Sequence, residues 1–219
     1  MDNINISFFV ISFSSLFALI NPLGISPIVL SITENLNDQE YNKTIKKGIL
    51  FAIFILLLFA CVGELIFKFY GITIHAFKIA GGILFFRTGI DMLYAKTSRT
   101  KTTPQETLEA TEQNDISIAP IGIPMIAGPG AITSVMLISY QANTLMERIF
   151  FYSNIILVLA ITYYILKVAK KIAIRFGTTG IRIIQRIMGL ILMVLAIQFI
   201  INGINPIVEN WISLINTNF

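Results

Sequence analysis

The chain has 219 residues, of which 55% are hydrophobic and 13% charged, whereas a soluble domain carries about 25% charged residues. Its 16 Lys and Arg against 12 Asp and Glu give a net charge of +4. This composition excludes a soluble enzyme, a secreted disulfide scaffold and a disordered chain. It predicts an all-α polytopic protein whose partner is the lipid bilayer, and basic loops explain the charge without a nucleic-acid partner.

The apolar residues gather into six runs, each close to the roughly 20 residues that a membrane-spanning helix needs. The predicted spans are residues 6–31, 48–67, 72–94, 118–140, 149–166 and 183–203. The first run is expected to be retained, because the residues before it carry no Lys or Arg and no small-x-small cleavage site follows it.

The basic residues predict the orientation of the spans. Eleven of the 16 Lys and Arg residues lie in connections one-two, three-four and five-six, and three lie on the other face. Positive charge is retained in the cytoplasm, so both termini are predicted to be periplasmic.

Two polar or amphipathic pieces divide the chain further. Residues 96–116 are rich in Thr, Glu and Gln and predict a cytoplasmic linker between a first three-helix unit, 1–95, and a second, 117–203. Residues 204–219 place apolar side chains and Trp211 on one helical face, which predicts a tail lying in the outer interface.

The first and fourth spans share an unusual pair of prolines. Pro22 and Pro27 correspond to Pro124 and Pro129, each pair separated by 102 residues. Segments 77–81 and 185–189 correspond in the same way in spans three and six, at an offset of 108. Because each half has three spans, the second half enters the membrane from the opposite side, which predicts two inverted repeats.

Proline removes a backbone donor, and in hydrocarbon such a break persists only where it is buried in protein or lines a wet cavity. Two breaks in related helices therefore predict one central site that offers backbone groups, close glycine contacts and uncharged hydrogen-bond partners. Half-helix N-termini favour a carboxylate and free carbonyls an ammonium group, so the predicted ligand is a small zwitterion. The predicted substrate-binding residues are Asn21, Pro22, Gly24, Ser26, Pro27, Pro124, Gly128, Pro129, Gly130 and Thr133, with Ser134 as a further hydrogen-bond partner. The alternative reading of these prolines and glycines is helix packing alone.

These motifs resemble the MarC family of membrane proteins. The resemblance rests on Asn-Pro-Leu-Gly at 21–24 with Pro27, Ile-Pro at 123–124, Ala-Gly-Pro-Gly-Ala-Ile at 127–132, Arg-Ile-Met-Gly at 186–189, Gln-Phe at 198–199 and Gly-Ile at 203–204. It implies a six-span protein of the bacterial inner membrane, grouped with small neutral amino acid transporters and, more distantly, with LysE-type exporters.

Glu64 and Asp91 are the acidic residues that fall within apolar runs, and an ionisable group at membrane depth is a functional candidate. Pairing with Lys68 and with Arg87, each four residues away, is the structural alternative. If transport is coupled to protons, Glu64 and Asp91 are the predicted coupling carboxylates.

The remaining chemistry points away from an enzyme. Cys61 is predicted to be a buried core thiol, and a single histidine, His75, makes no metal cluster, so neither cofactor nor metal is expected. The chain lacks the motifs of a metalloprotease, a serine hydrolase or a P-loop. The sequence thus predicts a secondary transporter of a small neutral solute, an amino acid being favoured, that works by alternating access. A passive channel and a membrane scaffold or stress-related protein without transport activity are the alternatives.

Overall fold

A computed structural model describes residues 2–94 and 116–217, and in these ranges every regular element is helical. The first half contains α1 (Asp2–Ile20), α2 (Pro22–Ile32), α3 (Asp38–Tyr70) and α4 (Ile74–Leu93). The second half contains the π-helical α5 (Ser117–Ile126), α6 (Pro129–Gln141), α7 (Leu145–Lys167) and α8 (Ala169–Thr217). The all-α class is confirmed, and the predicted linker lies outside the described residues except for Ile116.

Polar residues in the short connections define the helix ends. The Asn37 side chain accepts from the backbone of Glu40, whose carboxylate accepts from the Asn37 N–H, and this capping box begins α3. Thr144 and Glu147 make the same arrangement at the start of α7. Gly71, at φ 63°, ends α3 in the left-handed conformation that glycine adopts without a steric penalty.

Several of the described helices are long and apolar enough to cross a membrane. Four stretches qualify alone: Ile6–Ile32, Asp38–Tyr70, Leu145–Lys167 and Thr179–Ile212. The pair α5 and α6, bent by 58°, makes a fifth if it is counted as one span. The third predicted span is the helix α4, but it carries Lys78, Arg87 and Asp91 and does not qualify by composition. The count of six therefore remains a prediction.

The last helix extends beyond the predicted sixth span. The sixth span was expected to stop at residue 203, but α8 continues through Pro206 to Thr217. A proline inside a helix removes one hydrogen bond, but α8 stays helical on both sides of Pro206. The interruption in α8 lies instead near its start, at Gly177, where φ is 62° and ψ is −179°.

Helices α4 and α8 pack closely because glycines bring their backbones together. A Cβ atom added at Gly89 would lie 2.9 Å from the carbonyl oxygen of Gly189, and one added at Gly189 would lie 2.8 Å from that of Gly89. One added at Gly82 would lie 2.8 Å from the carbonyl oxygen of Ala196. The residue numbers of these contacts rise along α4 while they fall along α8, so the two helices are antiparallel. Small residues of this kind are typical of membrane helix interfaces.

Helices α3 and α7 are also antiparallel. The hydroxyl of Tyr41, near the start of α3, donates to the carbonyl of Leu166 at the end of α7, at 2.6 Å. Cys61, near the end of α3, lies beside Tyr152 in the first part of α7, with 3.7 Å between Sγ and Oη. The prediction of a buried thiol is wrong, since Cys61 is exposed at the surface of the described structure.

Helices α5 and α6 run parallel to α3. Gly48 packs against the carbonyl of Ser117, and twelve residues further along α3 the carbonyl of Ala60 accepts a 2.7 Å hydrogen bond from Ser139. The apolar stretch Ile6–Ile32 is joined to α3 by a short connection and runs opposite to it. Helix α1 is therefore antiparallel to α6, and this relation decides which of their residues meet.

Candidate functional site

The first helix break lies at Asn21, between α1 and α2. Its φ of 49° and ψ of 64° are left-handed, a conformation in which asparagine is enriched. The side-chain oxygen accepts a 3.1 Å hydrogen bond from the backbone of Gly24 and caps α2. In an unbroken helix the carbonyl of Ala18 would accept a hydrogen bond from the backbone N–H of residue 22. Because that residue is Pro22, which has no N–H, this hydrogen bond is missing.

The second proline of this span, Pro27, lies inside α2 without ending it. It has no N–H to donate to the carbonyl of Leu23. The hydroxyl of Ser26 donates to that carbonyl instead, at 2.8 Å, and Ser26 is 1% exposed. The predicted substrate-binding residue Ser26 therefore donates its hydroxyl hydrogen to a helix carbonyl. The lone pairs of its oxygen stay available for other contacts.

A residue absent from the predicted set lies against the first break. A Cβ atom added at Gly24 would clash with the Asn21 amide nitrogen and would lie 2.7 Å from Nε2 of Gln185 on α8. Only a glycine lets these two amides approach the same point of the backbone. The signal was present in the sequence, because Gln185 is the first residue of the repeated segment 185–189.

The second break lies between α5 and α6. Ala119 and Ile123 have extended backbones within α5, and each immediately precedes a proline. The ring of a proline favours an extended conformation in the residue before it. The predicted Pro124 is one of these two prolines, and Pro120 was not predicted. Helix α6 starts at Pro129, in the first helical position where proline is well tolerated.

The two breaks meet at a glycine. A Cβ atom added at Gly130, in the first turn of α6, would lie 3.0 Å from the Leu19 side chain, two residues before Asn21. At Gly128 an added Cβ atom would lie 2.6 Å from the carbonyl oxygen of Pro124. The backbone of this turn therefore leaves no room for a side chain at residue 128. The structure thus brings the predicted Gly130 beside the first break.

The predicted Thr133 and Ser134 face different helices. Thr133 is half-buried, and its methyl group lies 3.0 Å from where a Cβ atom at Gly81 of α4 would be. Ser134 is fully buried, and its hydroxyl has no hydrogen-bond partner in the structure. Ser134, one turn after Gly130, therefore has a buried polar atom without a partner.

Ser134 belongs to a group of buried polar side chains that the sequence analysis mostly missed. The hydroxyl of Ser15 on α1 and the amide oxygen of Asn154 on α7 are also buried without a partner. The other amide atom, Nδ2 of Asn154, donates to Ser12 at 2.6 Å and to the carbonyl of Phe9 at 3.0 Å. In the sequence, Ser12, Ser15 and Asn154 stand out as polar residues inside apolar runs, and this pattern could have indicated a buried polar group.

The helix directions indicate that these polar atoms lie at a similar depth in the bundle. Leu19 contacts Gly130, and because α1 and α6 are antiparallel, Ser15 and Ser134 each lie one turn from that contact in the same direction. Ser12, the partner of Asn154, lies one turn further along α1. The buried group formed by Ser12, Ser15, Ser134 and Asn154 is hereafter called the polar cluster. A buried polar atom without a partner is unfavourable and calls for a ligand, a water or an ion.

The two predicted coupling carboxylates lie far apart. Glu64 pairs with Lys68 at 2.8 Å, with side chains 60% and 70% exposed, near the connection between α3 and α4. Asp91 lies 17 residues into α4, about 25 Å from that connection at 1.5 Å per residue. The structure confirms the Glu64–Lys68 pair and separates the two carboxylates along the bundle.

These observations define the class of protein: an integral membrane protein made of several apolar helices, two of its helical stretches being broken at prolines. A family model for MarC family integral membrane proteins matches residues 6–208. The chain belongs to the MarC family.

Curated relatives align along nearly the whole chain. A UPF0056 membrane protein of Methanocaldococcus jannaschii is 40% identical over 200 residues, covering 91% of this chain and 97% of its own length. The UPF0056 membrane protein YvbG of Bacillus subtilis is 37% identical, covering 93% and 99%, and YhcE of Escherichia coli is 35% identical, covering 89% and 91%. No solved structure matches the chain.

Proposed function

We propose that the protein is a secondary transporter of a small neutral solute, a neutral amino acid in the first instance, and that it works by alternating access. One observation carries the proposal: two helices broken at prolines meet at Leu19 and Gly130, and buried hydroxyls without partners lie one turn away. A membrane protein that only held its helices together would gain stability by filling this place with apolar side chains.

The polar groups at the two breaks suit a zwitterion. Helix α6 begins at Pro129 without a side-chain cap, so its first amides and the helix dipole favour a carboxylate. The oxygens of Ser15, Ser134 and Asn154 can accept the three hydrogen bonds that an ammonium group donates. A ligand that carries both groups would bind along the first turn of α6.

The proposed mechanism uses two halves of three spans each, in inverted orientation, with both termini outside the cytoplasm. The antiparallel contact between α4 and α8, the helices that carry the second repeated motif, supports this arrangement. In this view the broken helices hold the solute while the halves open alternately. The chain then needs no catalytic group, cofactor or metal, and its partners are the solute and the bilayer.

Coupling to protons is the finer part of the proposal. Glu64 and Asp91 would carry the proton if uptake responds to a pH gradient. Because the two carboxylates lie far apart along the bundle, they would act at different places during opening.

Uptake into proteoliposomes tests the proposal. We expect saturable uptake of labelled glycine, alanine and serine, with and without an imposed pH gradient. Ser134→Ala should lower the affinity for glycine by about 10- to 150-fold, because a hydrogen bond to a charged group contributes about 1.5–3 kcal/mol. Ser153→Ala, which alters an exposed serine on α7, should leave uptake unchanged.

Two results would contradict this function, and a third would contradict the assigned site. Absence of uptake by folded protein would favour a membrane protein without transport activity. Uptake that never saturates would favour a passive channel. Equal uptake by the Ser134→Ala variant would leave the transporter in place but would refute the assignment of the polar cluster.

A further inference from the structure

A crevice with a volume of about 150 Å³ opens at the surface between α3, the end of α6 and the start of α7. Its walls include one carboxylate, Glu64, and one guanidinium, Arg148, together with the hydroxyl of Tyr152 and the thiol of Cys61. The volume corresponds to roughly five water molecules at about 30 Å³ each. A molecule of five or six non-hydrogen atoms, such as glycine or alanine, has this size.

The two charged groups in the crevice are available to a ligand. Arg148 uses Nε to donate to the carbonyl of Ala142 at 3.2 Å, which occupies one of the five N–H donors of a guanidinium. Glu64 is paired with Lys68, but both side chains are more than half exposed, and an exposed pair of this kind contributes little. Glu64 can therefore exchange Lys68 for another ammonium group with little loss.

We propose that this crevice binds a small zwitterion with a primary ammonium group, its oxyanion on Arg148 and its ammonium on Glu64. One wall carries a negative and the other a positive group, so a ligand with a single charge would satisfy only one of them. Two sources offer this chemistry: a free amino acid, and the head group of an ethanolamine phospholipid. The second is within reach because Leu65 and Phe69, which follow Glu64 on α3, are 63% and 84% exposed.

The proposal goes beyond the transport function and does not rest on it. The crevice lies beside Ala142, at the C-terminal end of α6, whereas the helix breaks meet at Gly130, at its N-terminal end. Twelve residues of α-helix separate these points by about 18 Å. Occupancy of the crevice can accordingly be measured without measuring uptake.

Cys61 provides the measurement. It is the single cysteine of the chain, it is exposed, and its Sγ lies 3.7 Å from Oη of Tyr152 in the crevice wall. A ligand held between Glu64 and Arg148 would cover the thiol. The rate at which a maleimide labels the unmodified full-length protein therefore reports occupancy directly.

The experiment compares labelling rates in detergent and in phosphatidylcholine nanodiscs with and without phosphatidylethanolamine. At a glycine concentration about twice the dissociation constant, we expect labelling to slow about threefold, because the unoccupied fraction is 1/(1 + [L]/Kd). Sodium acetate and methylammonium chloride, each with one of the two charged groups, should have much weaker effects. Arg148→Gln and Glu64→Gln should abolish the protection, and Arg175→Gln, which alters an exposed arginine on α8, should preserve it.

The two sources give different results. Protection by glycine assigns a free amino acid to the crevice, and protection by phosphatidylethanolamine without any glycine effect assigns the lipid head group. The proposal is overturned if neither slows labelling, if acetate protects as well as glycine does, or if protection persists in both crevice variants. A failure of glycine uptake would contradict the transport function and leave this result unaffected.

Discussion

The unused hydroxyl of Ser134 allows function and stability to be separated by one substitution. Ser134 is fully buried, and its Oγ has no partner in the structure. A buried polar group that makes no hydrogen bond costs about 1–3 kcal/mol. Ser134→Ala removes that group with little change in volume, so we expect the free energy of unfolding to rise by about 1 kcal/mol.

Ser26→Ala is the matched control. Ser26 is just as deeply buried, but its hydroxyl donates to the carbonyl of Leu23 at 2.8 Å. Its removal leaves that carbonyl without the donor that Pro27 cannot supply, so we expect a loss of about 1 kcal/mol. The two serine variants should thus shift stability in opposite directions.

Thermal unfolding of the purified protein in detergent measures the difference. A change of 1 kcal/mol corresponds to about 2–4 °C in Tm for a chain of this length, so the two variants should differ by about 4–8 °C. The reasoning is refuted if Ser134→Ala lowers Tm as much as Ser26→Ala does, since the hydroxyl would then have a partner. If Ser134→Ala raises Tm and also weakens glycine uptake, Ser134 contributes to binding at the expense of stability.

Two further predictions concern packing and a hydrogen bond. Gly128→Ala should lower stability by about 1–3 kcal/mol, because the new Cβ atom would lie 2.6 Å from the backbone oxygen of Pro124; an unchanged Tm would show that this turn is looser than described. Tyr41→Phe should lower stability by about 1 kcal/mol, since it removes the buried 2.6 Å bond to the Leu166 carbonyl. Tyr164→Phe, at a side chain 64% exposed, should have no measurable effect, and equal losses in the two tyrosine variants would contradict the assigned bond.

The glycine prediction has its own control within the same bundle. An added Cβ atom at Gly63 would lie 3.0 Å from Cγ of Met136, a flexible side chain that can move aside. Gly63→Ala should therefore lower Tm less than Gly128→Ala. The reverse order would show that the Pro124 turn relaxes more easily than a methionine side chain.

Much of the fold was predictable from the sequence. Long apolar runs and the polar residues between them are local properties of the sequence. They predict the helical class, the position of most helices and the breaks at Asn21 and Gly128. The tail beyond residue 203 was predicted to place its apolar side chains on one helical face, and α8 is helical through Thr217, while its position in the outer interface stays a prediction. Cys61 was misplaced because in a bilayer both the core and the lipid-facing surface are apolar, so hydropathy does not separate them.

The sequence by itself determined where the backbone is broken, since Pro22, Pro124 and Pro129 remove donors wherever they stand. Only the tertiary structure decided what the breaks meet. Contact between Leu19 and Gly130 depends on which helices are neighbours and on their directions. The same holds for Ser15, Ser134 and Asn154, which are ordinary polar residues when read along the chain. Antiparallel packing of α1 and α6 places these turns of distant sequence at one depth, where their oxygens are buried without a protein partner.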